Sequence, residues 1–328
     1  MRRREFITLL GGAAALPVLW PLAAHAQQRV WRIGVLETVS IALNRANFDA
    51  FRRGLRQLGY AEGQNYLIDY RSADGRADRF PEFAAELVRS QVDLIVTRGT
   101  PAALAAKEAT TTIPVVMAAI GEPIGVGVVA TLARPGGNVT GFSAFVTELS
   151  AKRVEILKEA IPGISRVGFL NNMSNPVIPP QWDATKEAAR SLGMEAELLD
   201  VRTRDDLLRS FDAANRLKLG ALLVGVDGLT QAHGQLIIEQ AALRRITAIY
   251  ASREFVDAGG LMTYSVDYTH LYYRAAGLVD KIFKGVRPAD LPVEQPNKIE
   301  LVINLKAAKT IGLDFPPTFL ARADEVIE

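Results

Sequence analysis

The side chains that could do chemistry in this 328-residue chain are few, and they gather where apolar runs end. Glu37 and Thr38 follow Val30–Leu36, and Arg98-Gly99-Thr100 follows Asp93–Thr97. Asn171, Asn172, Ser174 and Asn175 follow Arg166–Leu170. Asp227 closes Ala221–Val226, and Tyr250 ends the run Thr247–Tyr250, with Ser252, Arg253 and Glu254 just beyond it. These residue types suit holding a small polar molecule. Gly99-Thr100-Pro101 reads as a helix opening, where free backbone N–H groups and a hydroxyl suit a carboxylate. Asp227 can accept a charge-assisted hydrogen bond from an ammonium. The plain alternative is that Thr100 and Asp227 cap their own helices, and the two roles are compatible.

Other chemistries find no support. The chain has no Cys and three His, which removes disulfides, thiolate metal sites, iron–sulfur clusters and thiol nucleophiles. His233 and His270 stand on helical stretches with no His nearby, so they read as packing or surface residues and no metal is expected. The phosphate-binding, zinc-protease, nucleophile-elbow and calcium-loop motifs are absent. Gly125-Val-Gly127-Val-Val-Ala130 fits a dinucleotide spacing, but it follows Pro123 rather than a strand end, so no cofactor is expected. No Ser motif lies near either His, which disfavours an enzyme. Asn138-Val-Thr140 reads as turn chemistry and Asp205-Asp206 as a helix cap.

The formal charge of +2 is carried entirely by the first five residues, Arg2, Arg3 and Arg4 against Glu5. The remainder is near neutral, which gives no electrostatic case for nucleic acid. Residues 1–26 combine that basic start with an apolar stretch and end in Ala24-His25-Ala26, a small-x-small cleavage pattern. Arg3-Arg4-Glu5-Phe6-Ile7 resembles a twin-arginine export signal. The expectation is a periplasmic protein beginning at Gln27, without a lipid anchor.

Short apolar runs alternate with amphipathic stretches along the mature chain, which predicts parallel sheets covered by helices on both faces. Asn44–Leu58, Arg79–Arg89, Pro101–Ala109, Glu148–Ala160, Pro180–Leu192, Gln231–Arg244 and Tyr268–Lys284 read as helices, and the end of the chain as a loose tail. The pattern also restarts. Arg32-Ile-Gly-Val-Leu36 matches Arg166-Val-Gly-Phe-Leu170, Leu58-Gly59 matches Leu192-Gly193, and Ile113–Met117 parallels Ile246–Tyr250. The order of these matches predicts two similar βα lobes, with ligands at the carboxyl ends of their strands.

Six segments in order resemble the periplasmic substrate-binding proteins of ABC importers, in the branch that includes tryptophan- and tyrosine-type binders. They are Phe51–Gly63, Val96–Pro101, Ala133–Gly141, Arg253–Leu261, Leu291–Leu305 and Ala321–Glu328. The resemblance implies an α/β fold of two Rossmann-like, doubly wound lobes joined by three crossings. It implies lobe 1 from 27–142 with 267–298, and lobe 2 from 143–266 with 299–328. Carried over by position, its cleft residues are Thr100, Ser143, Asn175, Asp227 and Tyr250. With the strand-end reading, the expected ligand set is Thr38, Gly99, Thr100, Ser143, Asn172, Asn175, Asp227 and Tyr250. The chain departs from some relatives in lacking an acid before Asn175 and in placing Gly228 after Asp227. The expected function is capture of a small, amino-acid-like solute and delivery to an ABC permease at the inner membrane, by a monomer that performs no reaction. A ligand-sensing module for a signalling partner, or an exported two-lobed enzyme, would share the fold.

Overall fold

The computed structural model describes residues 29–328, so the export signal read from residues 1–26 lies outside it. The first lobe is built from β1 (Trp31–Glu37), α1 (Arg45–Gln57), β2 (Tyr66–Ser72), α2 (Phe80–Arg89), β3 (Leu94–Arg98), α3 (Thr100–Ala109), β4 (Val115–Ile120) and β5 (Val139–Ser143). β3, β4 and β5 are buried at every residue, as strands covered on both faces must be. α1 turns Phe48, Phe51 and Leu55 inward. α3 starts with Pro at its first turn, behind Gly99 at φ +84°, a conformation that only glycine adopts without strain.

The second lobe follows as α4 (Val146–Ala160), β6 (Arg166–Asn171), α5 (Ile178–Ser191), β7 (Glu195–Asp200), α6 (Arg204–Arg216), β8 (Ala221–Val224), α7 (Gly228–Ala232), α8 (Gly234–Leu243), β9 (Thr247–Tyr250), α9 (Arg253–Asp257) and β10 (Met262–Val266). α10 (Tyr268–Phe283) then returns to the first lobe, where Leu271, Tyr272 and Ala275 share a core with Phe48 and Phe51 of α1. Gly54 permits that packing, because a Cβ there would stand 2.6 Å from the Tyr273 carbonyl oxygen. The chain ends in the second lobe with β11 (Ile299–Asn304), α11 (Leu305–Ile311), α12 (Pro317–Leu320) and β12 (Glu325–Ile327). Three crossings join the lobes: after β5, after β10 and before β11.

The sheet orders are β2-β1-β3-β4-β5 and β12-β11-β10-β9-β8-β6-β7. Read from the other edge, the second sheet runs β7-β6-β8-β9-β10, the same winding as the first. The sequence restart is therefore a repeat of topology. Beyond the repeat, β11 pairs antiparallel with β10, and β12 pairs parallel with β11.

Three local expectations need correction. The loose tail is ordered: α12 is a helical turn, and β12 pairs with β11 from Val302↔Glu325 to Asn304↔Ile327. The helix expected over Gln231–Arg244 starts earlier and is split into α7 and α8 at His233. Asn138 does hold a turn, bonding the Thr110 and Ile113 carbonyls, but the residues after it form β5. The Asp205-Asp206 expectation is met by Asp206, which closes a capping box with Thr203 at the start of α6. No helix among the described residues is long and apolar enough to cross a membrane.

Candidate functional site

The carboxyl ends of the two sheets face each other across a cavity between the lobes. Lobe 1 contributes Thr38, Arg98, Gly99 and Thr100, and lobe 2 contributes Asn175, Gln181, Asp227 and Gln231. Phe80, Ile120, Val177 and Tyr268 supply apolar wall. The lobes meet closely around it. A Cβ on Gly75 would stand 2.9 Å from the Ala232 Cβ, and one on Gly121 would stand 2.6 Å from methyls of both Val146 and Val177. Glycine at these two positions is what allows the approach.

Asp227 is buried, at 6% exposure. It precedes α7 and caps it: Oδ1 accepts from the Leu229 N–H at 2.9 Å, while its own N–H donates to the Thr230 hydroxyl at 3.0 Å. The Asn175 amide donates to Oδ2 at 2.9 Å, and the Asn172 amide reaches Oδ1 at 3.4 Å. All these donors are neutral, and no cation pairs with Asp227 among the described residues. Burial raises its pKa above the ordinary carboxylate value, and the Asn175, Leu229 and Asn172 hydrogen bonds offset that only in part. A cationic partner arriving in the cavity would remove the mismatch.

On the same cavity, α3 presents its N-terminus. Ala103 N–H is used by the Gly99 carbonyl, and Pro101 has none, which leaves the Thr100 and Ala102 N–H groups at the first turn. The Thr100 hydroxyl donates to the Gly121 carbonyl at 3.1 Å, which ties α3 to the end of β4. An acceptor placed at this end meets two backbone donors and the positive end of the helix dipole.

A second carboxylate behaves differently. Arg98, at the end of β3, keeps 3% of its side chain exposed, and its Nη2 lies 2.8 Å from the carboxylate of Glu254 in the other lobe. The Asn47 amide donates to Oε1 of Glu254 at 2.5 Å; Gln231 and the Ser252 hydroxyl each donate to Oε2 at 3.0 Å. Arg98 also donates to Oδ1 of Asn44 at 3.0 Å and stacks over the Tyr268 ring, 5.0 Å from its centroid. Burial pushes the Glu254 pKa up, but Arg98 and the converging hydrogen bonds outweigh it and hold the group below its usual value. Behind this pair lies Glu37, fully buried and bonded by the Tyr272 hydroxyl. Burial raises its pKa to about 7 against the opposing pull of Arg98.

Of the eight residues expected from sequence, Thr38, Gly99, Thr100, Asn175 and Asp227 line the cavity. Asn172 stands behind Asp227, its Oδ1 held by Ser174. Ser143 and Tyr250 are not on the cavity wall. Ser143 sits at the end of β5, its N–H bonded to the Glu294 carbonyl, and Ala144 takes the wall position. Tyr250 stacks on Phe255 at 4.8 Å and lies against Gly260, inside the second lobe. The reason is strand alternation: β9 is buried at all four residues, and its last side chain falls on the face packed by α8 and α9, in one core with Ile237, Ile238 and Phe255. Gln181, Gln231, Phe80 and Tyr268 were not anticipated, since each lies on a helix whose docking only the fold decides. Arg98 and Glu254 did carry a signal, as charges placed directly after apolar runs.

Two similarly wound lobes, linked three times and closed over a cavity that draws on both, define a solute-binding protein. The chain belongs to the ABC transporter substrate binding protein family, whose model matches residues 32–327. A tyrosine-binding protein of Clostridioides difficile is 28% identical over 263 residues, 80% of this chain and 75% of the relative. Among solved structures, a conserved domain protein from Vibrio cholerae superposes with a TM-score of 0.84 at 27% identity, covering 90% of this chain and 99% of the other. An ABC domain from Streptococcus pneumoniae solved with L-Trp gives 0.81 at 28% identity, covering 90% and 100%. The ligand-free, open structure of a Clostridium difficile substrate binding protein gives 0.64 at 27% identity, covering 90% and 99%.

Proposed function

We propose that the protein captures a free amino acid between its lobes and presents it to an ABC permease at the inner membrane. The observation that carries this reading is the buried carboxylate of Asp227. Among the described residues it has neutral donors and no cation, and it shares one cavity with the open N-terminus of α3. A zwitterion satisfies both: its ammonium meets Asp227, and its carboxylate meets the Thr100 and Ala102 N–H groups. Phe80 and Tyr268 offer the side chain apolar and aromatic surface. The named tyrosine-binding relative and the L-Trp complex support this ligand class. Binding bridges 27–142 plus 267–298 and 143–266 plus 299–328, so ligand energy goes into closure rather than into a reaction.

In this reading residues 1–26 are removed on export by the twin-arginine route, which leaves a periplasmic monomer without a lipid anchor. Ser143 and Tyr250 support the site from outside the wall, and Asn172 holds Asp227 in place. A thermal-shift series with the protein from Gln27 tests the ligand class. L-Tyrosine, L-tryptophan or another free amino acid at a hundred times its dissociation constant should stabilise by about 2.7 kcal/mol. No shift with any amino acid, beside a shift with a ligand lacking an ammonium, would overturn the reading.

A further inference from the structure

Behind the cleft lies a buried charge cluster that the proposed solute contacts do not use. Glu37, at the end of β1, is fully buried and receives only neutral donors, the Tyr272 hydroxyl and, at 3.3 Å, the Thr38 N–H. The charged and titratable groups that face it are Arg98 from β3, Tyr70 from β2, Tyr272 from α10 and Glu254 from α9. Tyr70 donates elsewhere, to the Val39 carbonyl at 2.9 Å. The cluster therefore holds two carboxylates and one guanidinium. That guanidinium turns to Glu254, at 2.8 Å, and is linked to Glu37 by a relay: Arg98 donates to Asn44, Asn44 to the Tyr272 hydroxyl at 3.4 Å, and Tyr272 to Glu37. With both carboxylates ionised, this buried site would carry an unbalanced negative charge, and one added proton removes it.

Glu37, Asn44, Arg98 and Tyr272 all belong to lobe 1, and Glu254 alone belongs to lobe 2. Parting the lobes takes one carboxylate away, frees Arg98 to serve Glu37 and admits water. Each change favours the ionised form of Glu37, and closure reverses all three. We infer that lobe closure carries a proton from solvent onto Glu37, so that solute capture by this protein is coupled to proton uptake. The inference rests on the proposed function, from which it takes closure, and it adds regulation of that same site by pH. The only bond made is O–H, and opening returns the proton to solvent. In the closed arrangement burial, with Glu254 adding to it, raises the Glu37 pKa to about 7 against the pull of Arg98. The closed form binds the proton more tightly, so capture strengthens as pH falls through that value and weakens as pH rises.

A lock across the cleft tests this without any solute. The chain has no cysteine, and a Cβ built on Gly228 of lobe 2 stands 3.5 Å from the Thr38 Cβ of lobe 1, within disulfide reach. The double variant Thr38→Cys, Gly228→Cys, made on the protein from Gln27, is held closed when oxidised and released when reduced. Carboxyl-carbon NMR of glutamate-labelled protein follows Glu37 against pH, its signal identified by loss in Glu37→Gln. If Glu37→Gln does not fold, Tyr272→Phe identifies the signal by moving it. The oxidised form should titrate near 7, and the reduced form about one unit lower, a tenfold weaker hold on the proton. Adding Glu254→Gln should lower the oxidised midpoint, since Arg98 then serves Glu37 alone. Equal midpoints in the two forms, or a lower one when oxidised, would overturn the inference. A second arm titrates wild type with L-tryptophan and L-tyrosine by calorimetry near pH 6.5, in two buffers of different ionisation enthalpy. Whichever binds should bring about half a proton with it, and Glu37→Gln should lack that uptake. Wild-type uptake no greater than that of Glu37→Gln would also overturn the coupling. If neither binds, the amino-acid reading fails alone, and the lock still decides the coupling.

Discussion

Asp227 and Glu254 sit on the same lobe, both just past the end of a strand of the second sheet, and both face the cleft. Their surroundings part company there. Glu254 meets Arg98 across the cleft, and its carboxyl is held below the usual pKa range. Asp227 meets amides and one backbone N–H, and burial lifts its pKa. The protein supplies a counter-charge to Glu254 and, among the described residues, none to the buried Asp227. A closed form stabilised wholly by internal pairs would have no use for ligand, and one with none would need the ligand to supply the entire closing energy. On the proposed function, the division between the two carboxylates would place this protein between those limits.

The largest effect expected from breaking this comparison is at Asp227. Asp227→Asn keeps the cap, since Asn caps as well as Asp, and removes the charge. Affinity for an amino acid should fall by about 2–5 kcal/mol, because the ammonium is then buried without a counter-charge. Calorimetric titration with L-tryptophan and L-tyrosine measures this; equal affinities would leave Asp227 a helix cap and nothing more.

The next effect is steric. Gly121 lies in lobe 1 outside the left-handed region, and its added Cβ meets only Val146 and Val177. Gly121→Val should therefore spare lobe 1 and wedge the cleft. Overpacking of this kind costs about 1–3 kcal/mol, here charged to closure alone. Weaker ligand binding with an unchanged ligand-free melting temperature is the expected pair of results. A lowered melting temperature with intact affinity would show that the contact matters to folding instead.

A third carboxylate sharpens the contrast through pH. Glu37 is raised by burial to about 7 from an ordinary value of 4.5. The folded state thus holds a proton that the unfolded chain gives up. Its stabilising share is complete below about pH 4.5 and is lost as pH climbs toward about 7. Melting curves of wild type and Glu37→Gln across that window should shift in the variant's favour as pH rises. A wild type that gains stability relative to Glu37→Gln over the same range would contradict the assignment. The smallest effect belongs to Thr38→Val, which removes one hydrogen bond to Gln231 and should weaken ligand binding by about 0.5–1.5 kcal/mol in the same titration. No change in affinity would mean that water replaces the lost partner at no cost.

Much of this was legible in the sequence for a definite reason. Apolar runs of strand length mark strands covered on both faces, and the helices between them bury one stripe each. Their repetition at similar spacing fixes two lobes with the same winding, because each βα unit closes locally. Polar residues directly after those runs must lie at the carboxyl ends, which is why Thr38, Gly99, Thr100, Asn175 and Asp227 follow from the sequence pattern. Tyr250 cannot be placed that way, since a buried strand gives no alternation from which to read the face of its last side chain. The tail escapes the pattern for a related reason: three residues of edge strand carry too little periodicity to be seen until β11 offers a partner. What only the tertiary structure decided is which charges meet. Arg98 and Glu254 lie 156 residues apart, and Thr38 and Gln231 lie 193 apart. Those pairings depend on how one lobe is set against the other, and three short crossings leave that to be settled by the surfaces that touch.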